Sequence, residues 1–358
     1  MAKEPVDPRL QKSRLLSEIY EQPQAIRRML SGEAERVAAI SQQLSRREFS
    51  YAVVAARGTS DNAARYGQYI FGAINHLSVA LAAPSLFTRY HSPPRLEGAL
   101  VIGISQSGQS PDIISVIEEG RRQGAPTIAI TNDLESPLAC AAEYKIGLGV
   151  GEEHSVAATK TYTAQLTAMA LLALSLKETP IQLAPLEALP EALERALASE
   201  PQARVAAKSL SAFDHTVFIG RGFNYSTAHE ISLKCKELAN MQAEPYSSAD
   251  FLHGPIAMVD RGFPVNLVSI GDTFREELTI LGAALHERGA RLITIGDRAI
   301  EGHIDSQDVF IPVPASLPEW LSPIAAILPG QLLAYHLAKA RGFDPDRPRA
   351  LRKVTLTR

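Results

Sequence analysis

The feature that most constrains this chain is an internal repeat with a period of about 165 residues. A short apolar run ending in Arg-Gly, followed by a polar turn and a helical pattern, occurs at 51–63 (YAVVAARGTSDNA) and again at 215–227 (HTVFIGRGFNYST). Arg57-Gly58 thus pairs with Arg221-Gly222. In the same order, ALVIGIS (99–105) corresponds to PVNLVSIG (264–271), and EEGRRQGAPTIAITND (118–133) to AALHERGARLITIGDR (283–298). Two halves that match at a nearly constant offset share one topology. Within each half, continuous apolar runs of strand length alternate with helical patterns, the signature of a parallel sheet covered on both faces. The expected fold is α/β, with two tandem doubly wound, three-layer α/β/α domains.

The rest of the chain frames this repeat. Arg14 to Leu44 reads as helix, giving an N-terminal helical segment over 1–45. The first domain is expected over 46–178 and the second over 205–340. Between them, 179–204 is a proline-containing linker with a helix of its own. The stretch 341–358 is a proline- and arginine-rich tail. Two domains also suit a chain of 358 residues, longer than a single core usually grows.

A formal net charge of −3 leaves no basic footprint for nucleic acid and no polybasic membrane anchor, so a small-molecule partner is expected. The two cysteines, Cys140 and Cys235, lack disulfide or zinc spacing, which points to a reducing, cytoplasmic setting with neither metal nor cofactor. The opening MAKEPVDPRLQKSR has no apolar core and does not read as a signal peptide. The longest apolar stretch, Leu166 to Leu176, is broken by Thr167 and Ser175 and is too short to span a bilayer.

Chemistry concentrates in four places. After the apolar run 99–104 comes Ser105-Gln106-Ser107-Gly108-Gln109-Ser110, hydroxyl-rich and placed where a strand hands over to a helix. Helix N-termini at strand ends hold anions, and Gly108 lets backbone approach a ligand. The loop has no lysine, so it is not a Walker-type nucleotide site. Its plain alternative is a serine-rich helix cap. The turn Gly58-Thr59-Ser60 ends the preceding strand of the same half and could converge on the same anion, with 155–160 (SVAATK) closing the pocket. In the second half, Glu230, Lys234 and Glu237 fall at i, i+4 and i+7, on one helical face. That face is either a solvated salt-bridging surface or, with His253 brought in by the His253-Gly254-Pro255 loop, a proton-transfer group suited to a carbonyl-containing sugar.

These runs resemble the sugar isomerase (SIS) family, and more closely the isomerase half of glucosamine-6-phosphate synthase and its relatives. The resemblance is carried by EIYEQPQAIR (18–27), RGTSDNA (57–63), ISQSGQSPD (104–112), TNDLESPLA (131–139), VAATKTYTAQL (156–166), HEISLKCKELANMQAEPYSSADFLHGP (229–255) and DPDRPRALRKVT (344–355), in the family's order over nearly the whole chain. It implies phosphate contacts at Ser60, Ser105, Gln106, Ser107 and Ser110, with Thr59, Val156 and Ala158 lining the sugar site. It implies that Glu237 moves the proton between C1 and C2, and that His253 opens the sugar ring from across a dimer interface, with Lys234 and Glu230 beside it. It also makes the tail a lid carrying a catalytic lysine, Lys353, which otherwise reads as one more exposed base beside Arg349 and Arg352.

Three departures from the synthase pattern bear on the substrate: Ala158 stands where serine is usual, Pro245 interrupts an AEAY-like run, and Arg57 stands where a small residue or cysteine is common. Synthases also begin with a glutaminase domain bearing an N-terminal cysteine, which this sequence does not show. The expected activity is therefore a glucosamine-6-phosphate deaminase of the SIS type, yielding fructose 6-phosphate and ammonia. Fructosamine 6-phosphate deglycase, aldose-ketose phosphosugar isomerase and noncatalytic sugar-phosphate-binding regulator are the alternatives. A homodimer sharing His253 is the expected assembly.

Overall fold

The computed structural model describes residues 13–177, 183–301, 308–314 and 316–353. Parts of all five expected segments lie outside these residues: the start of the N-terminal segment (1–12), the last residue of the first domain (178), the start of the linker (179–182), positions 302–307 and 315 of the second domain, and the end of the tail (354–358). The described chain forms two compact units. One comprises 24–152, 161–177 and 183–188, the other 13–23, 153–160, 189–301, 308–314 and 316–353.

The first unit carries β1 (Tyr51–Ala55), β2 (Ser78–Leu81), β3 (Ala99–Ile104), β4 (Thr127–Thr131) and β5 (Tyr144–Gly147), all parallel, in the order β2-β1-β3-β4-β5. Every residue of β3 and β4 is buried, which explains why these strands read as continuous apolar runs rather than alternating ones. Val53, Val101, Ile113, Val116, Ile117 and Leu138 form much of one core cluster against the sheet. Burying each such side chain is worth roughly 1.5–3 kcal/mol.

The second unit repeats the plan. Its strands are β6 (His215–Gly220), β7 (Gln242–Ser247), β8 (Pro264–Ser269), β9 (Arg291–Gly296) and β10 (Val309–Pro312), parallel, in the order β10-β9-β8-β6-β7. Read from β7, this is the order of the first sheet, as the repeat requires. Pro245 lies in β7, an edge strand, where its missing N–H breaks no central ladder.

The helices used below are α1 (Arg14–Leu44), α2 (Thr59–Asn75), α3 (Pro111–Arg122), α4 (Lys160–Ser175), α5 (Tyr225–Ala239) and α6 (Ser322–Ala340). The described part of the linker holds two short helices, Ala184–Glu187 and Leu189–Leu197, and enters a third, Glu200–Leu210, where one was expected. The sequence reading of apolar stretches needs a further correction. Glu319–Ala340, not Leu166–Leu176, is long and apolar enough to cross a membrane by length and composition, and 94% of its most apolar 18-residue window is buried within the protein. It is a core helix, so its apolarity records burial on all sides rather than a lipid face.

Candidate functional site

In the first unit, the loop Ser105 to Ser110 runs from the end of β3 into α3, which Pro111 opens at a position where a missing N–H costs nothing. Ser110 is the N-cap residue, yet its side chain makes no capping bond; its Oγ lies 3.5 Å from Ser105 Oγ. The helix-cap alternative therefore does not account for this hydroxyl. Ser105 Oγ accepts from the Gly108 amide at 3.2 Å and Ser107 Oγ from the Gln109 amide at 3.3 Å, folding the loop on itself. Gly108 has φ +62°, and a Cβ there would lie 2.1 Å from Ser136 Oγ, so only glycine closes this turn. The end of β4 pins the loop from outside: Gln106 O accepts from the Asn132 amide at 3.1 Å and from Thr131 Oγ1 at 3.3 Å.

Thr59 and Ser60 open α2 at the end of β1. Ser60 is buried, and its Oγ accepts from Gln165 Nε2 of α4 at 2.9 Å. Between β1 and β3 the strand order reverses, and crevices outside strand carboxyl ends at such points are where doubly wound sheets bind ligands. Both hydroxyl-bearing turns border this point, together with the positive end of α3.

In the second unit, α5 leaves the end of β6 and stops at Asn240, a left-handed C-cap whose amide donates to Cys235 O. Glu230, Lys234 and Glu237 share a face of α5, and the Lys234 ammonium lies 3.4 Å from Glu230 Oε1 and 2.5 Å from Glu237 Oε2. Side-chain exposure is 0% for Glu230, 1% for Lys234 and 23% for Glu237, so this is not a solvated salt-bridging surface. Burial acts to discharge Lys234, but the carboxylates of Glu230 and Glu237 outweigh it and hold the ammonium above the ordinary lysine range. Glu237 Oε2 is taken by the lysine, whereas its Oε1 has no hydrogen-bond partner among the described residues.

His253 is exposed just beyond the Ser248–Leu252 helix, beside the exposed apolar side chains of Leu252 and Met258. Lys353 reaches the loop that carries Val156 and Ala158. Its Nζ donates to Glu153 Oε2 at 2.9 Å and to Ser155 O at 2.6 Å. Burial alternates along this loop, with 153, 155, 157 and 159 inside and Val156 and Ala158 half-buried on the other side.

Sequence reasoning missed two residues here. Glu153 is fully buried at its side chain and also accepts from the Thr159 amide at 2.9 Å. Glu18 of α1 accepts from the amides of His154 at 2.5 Å and Ser155 at 3.2 Å. Each lies in or near a quoted motif, but no spacing rule connects it to a partner so distant in sequence. A cavity of about 1010 Å³ in the same unit is lined by other residues, including Glu18, His154, Arg204 and His336, and by none of the predicted catalytic side chains. Among the described residues, no group of three or more His, Cys, Asp or Glu side chains is placed to hold a metal ion.

Comparison with known proteins gives the setting. The family model described as SIS domain matches residues 50–175 and 209–340. Glutamine–fructose-6-phosphate aminotransferase (isomerizing) of Pyrococcus horikoshii is 35% identical over 346 residues, covering 95% of this chain and 57% of that protein. The chain thus spans little more than half the length of the curated relatives it matches. Among solved structures, a Silicibacter pomeroyi protein named as a candidate phosphosugar isomerase superposes with a TM-score of 0.85 at 34% identity, covering 93% of this chain and 100% of that one. The C-terminal domain of glucosamine-fructose-6-phosphate aminotransferase from Francisella tularensis superposes with a TM-score of 0.86 at 27% identity, covering 97% and 100%.

Proposed function

Because this chain belongs to the SIS domain family, we propose that it is an aminosugar-phosphate isomerase that converts glucosamine 6-phosphate and water to fructose 6-phosphate and ammonia. The observation that carries this reading is Glu237. One carboxylate oxygen is fixed by a buried ammonium, the other has no hydrogen-bond partner among the described residues, and the side chain is partly exposed, the state a positioned general base requires.

The roles follow from the chemistry of the groups. The serine loop with Thr59 and Ser60 takes the phosphate, while Val156 and Ala158 line the sugar. His253 transfers the proton that opens the ring to the aldehyde. Glu237 removes the C2 proton as O1 takes up a proton, giving the 1-hydroxy-2-enamine, and returns the proton to C1 as nitrogen releases one, which leaves C1 as an alcohol and C2 as an imine. Water adds to that imine carbon, the C2–N bond breaks and ammonia leaves, giving the ketone of fructose 6-phosphate. Lys234 orients the base, Glu230 balances the charge of Lys234, and Lys353 is the amine that steadies the open-chain intermediate. A second copy of the chain covering Leu252 and Met258 would bring His253 to its partner's site, which makes a homodimer the expected form.

Within the residues of this chain, neither cysteine is a nucleophile suited to hydrolysing glutamine. Cys235 is buried, and burial pushes its thiol up to about 12, far from a nucleophile's range. Cys140 is exposed, and its sulfur is turned to the Glu135 carbonyl at 3.6 Å. Neither is placed to attack an amide. The test is turnover of glucosamine 6-phosphate by the wild type and by Glu237→Gln. The variant should bind fructose 6-phosphate but lose roughly 10²-fold or more in kcat, the scale of general-base catalysis. Retained turnover would move the base elsewhere.

A further inference from the structure

The two repeats share an ion pair that the motifs did not reveal. Arg57 follows β1 and its Nε donates to Asp112 Oδ2 at 2.7 Å; Asp112 lies in the first turn of α3. Arg221 follows β6 and pairs at 3.7 Å with Glu277, in the first turn of the Arg275–Glu287 helix that follows β8. In both units an arginine from the turn after the first strand clamps the helix after the third. The two pairs differ in their surroundings. Arg221 is covered by the Phe274 ring, 5.3 Å from the guanidinium carbon, and Glu277 also accepts from the Ser248 hydroxyl. Arg57 has no ring over it among the described residues and is 52% exposed at its side chain. Its two terminal nitrogens have no hydrogen-bond partner among the described residues.

The open pair is the one beside the serine loop. Arg57 immediately precedes Gly58-Thr59-Ser60, and Asp112 follows Ser110-Pro111, so the pair joins the two turns already assigned to the anion. A phosphate monoester carries nearly two negative charges, yet residues 105 to 110 supply only neutral donors. Asp112 is buried at the start of α3, where its carboxylate would repel such an anion unless neutralised. Arg57 cancels that charge through Nε and keeps the planar end of its guanidinium, the part suited to bidentate phosphate contact, free.

We propose that Arg57 is a phosphate-binding residue of the substrate site, oriented by the buried carboxylate of Asp112. The proposal rests on reading the serine loop as the phosphate site, and its test separates the two. Calorimetric titration with inorganic phosphate and with fructose 6-phosphate requires no turnover. It would be run on the wild type, Arg57→Gln, Arg57→Lys, the Arg57→Gln/Asp112→Asn double variant and the Ser105→Ala/Ser107→Ala control.

Loss of a charge-assisted contact should raise Kd for both ligands roughly 10- to 100-fold in Arg57→Gln. It should also flatten the dependence of Kd on ionic strength, which a purely structural clamp would not do. Arg57→Lys should fall between Arg57→Gln and wild type, and the double variant should recover part of the loss because the repelling carboxylate is gone. Should Arg57→Gln fold poorly, Arg57→Lys and the double variant, in which no buried acid is left unpaired, carry the same comparison. Wild-type Kd and salt dependence in the arginine variants, with weakened binding in the serine control, would overturn the role of Arg57 and leave the loop reading intact. Unchanged binding in the serine control, or no binding by the wild type, would overturn the loop reading and this proposal with it.

Discussion

Replacing Lys234 with methionine removes the ammonium that sits between two carboxylates while keeping most of the side-chain volume. The cost can be worked from the geometry. At an effective dielectric of about 20, a charge pair separated by the 3.4 Å of the Lys234–Glu230 contact is worth about 5 kcal/mol. Breaking a buried pair by deleting one partner typically costs about 3–5 kcal/mol, because the other charge stays behind. Both figures lead to the same experiment. At roughly 2–4 °C per kcal/mol for a unit of this size class, Tm should fall by about 6–20 °C. Circular dichroism melting of wild type, Lys234→Met and Lys234→Met/Glu230→Gln measures it, and the double variant should recover much of the loss because the stranded carboxylate becomes a neutral amide. The pH dependence is fixed by the direction of the lysine shift. The folded-state value lies above the unfolded one, so the stabilisation is fully present below about pH 10 and fades as pH rises through the folded value. The Tm difference should therefore stay constant from about pH 6 to about pH 9 and narrow only in stronger alkali. A Tm within about 2 °C of wild type, or a double variant no better than the single one, would refute the reasoning.

Two further outcomes are expected. Glu153→Gln keeps an acceptor for the Thr159 amide but removes the charge that holds Lys353, so kcat for glucosamine 6-phosphate should drop roughly 10- to 100-fold while the inhibition constant of inorganic phosphate stays near wild type; an unchanged kcat would remove Glu153 from the positioning of the lysine. A chromogenic disulfide reagent should titrate Cys140 at once and Cys235 only after unfolding, since Cys235 is fully buried and its thiol is pushed up to about 12; two fast thiols in the native protein would contradict this.

The legible parts of the molecule were those written locally. The repeat and the apolar runs identified the paired α/β units because strands covered on both faces, such as β3 and β4, are apolar throughout. The strand order β2-β1-β3-β4-β5 was not legible residue by residue, since pairing partners are chosen by crossover geometry rather than by any one strand's composition. The serine loop could be placed at a strand end because hydroxyls and a glycine at a strand-to-helix junction have few other physical reasons to occur together. The spacing of Glu230, Lys234 and Glu237 gave their common face but not their burial, because i, i+4 spacing is the same on a solvated helix. Arg57–Asp112 and Glu153–Lys353 were invisible for a different reason. They join segments far apart in sequence, and an ion pair leaves no periodic trace in either of them.

The central claim is tested most directly by following glucosamine 6-phosphate, ammonia and fructose 6-phosphate together in one reaction with the purified chain, with glutamine and fructose 6-phosphate supplied in a parallel reaction. The account predicts loss of the aminosugar matched one for one by both products, and no glucosamine 6-phosphate formed from glutamine. No ammonia from glucosamine 6-phosphate, or amination driven by glutamine, would contradict it.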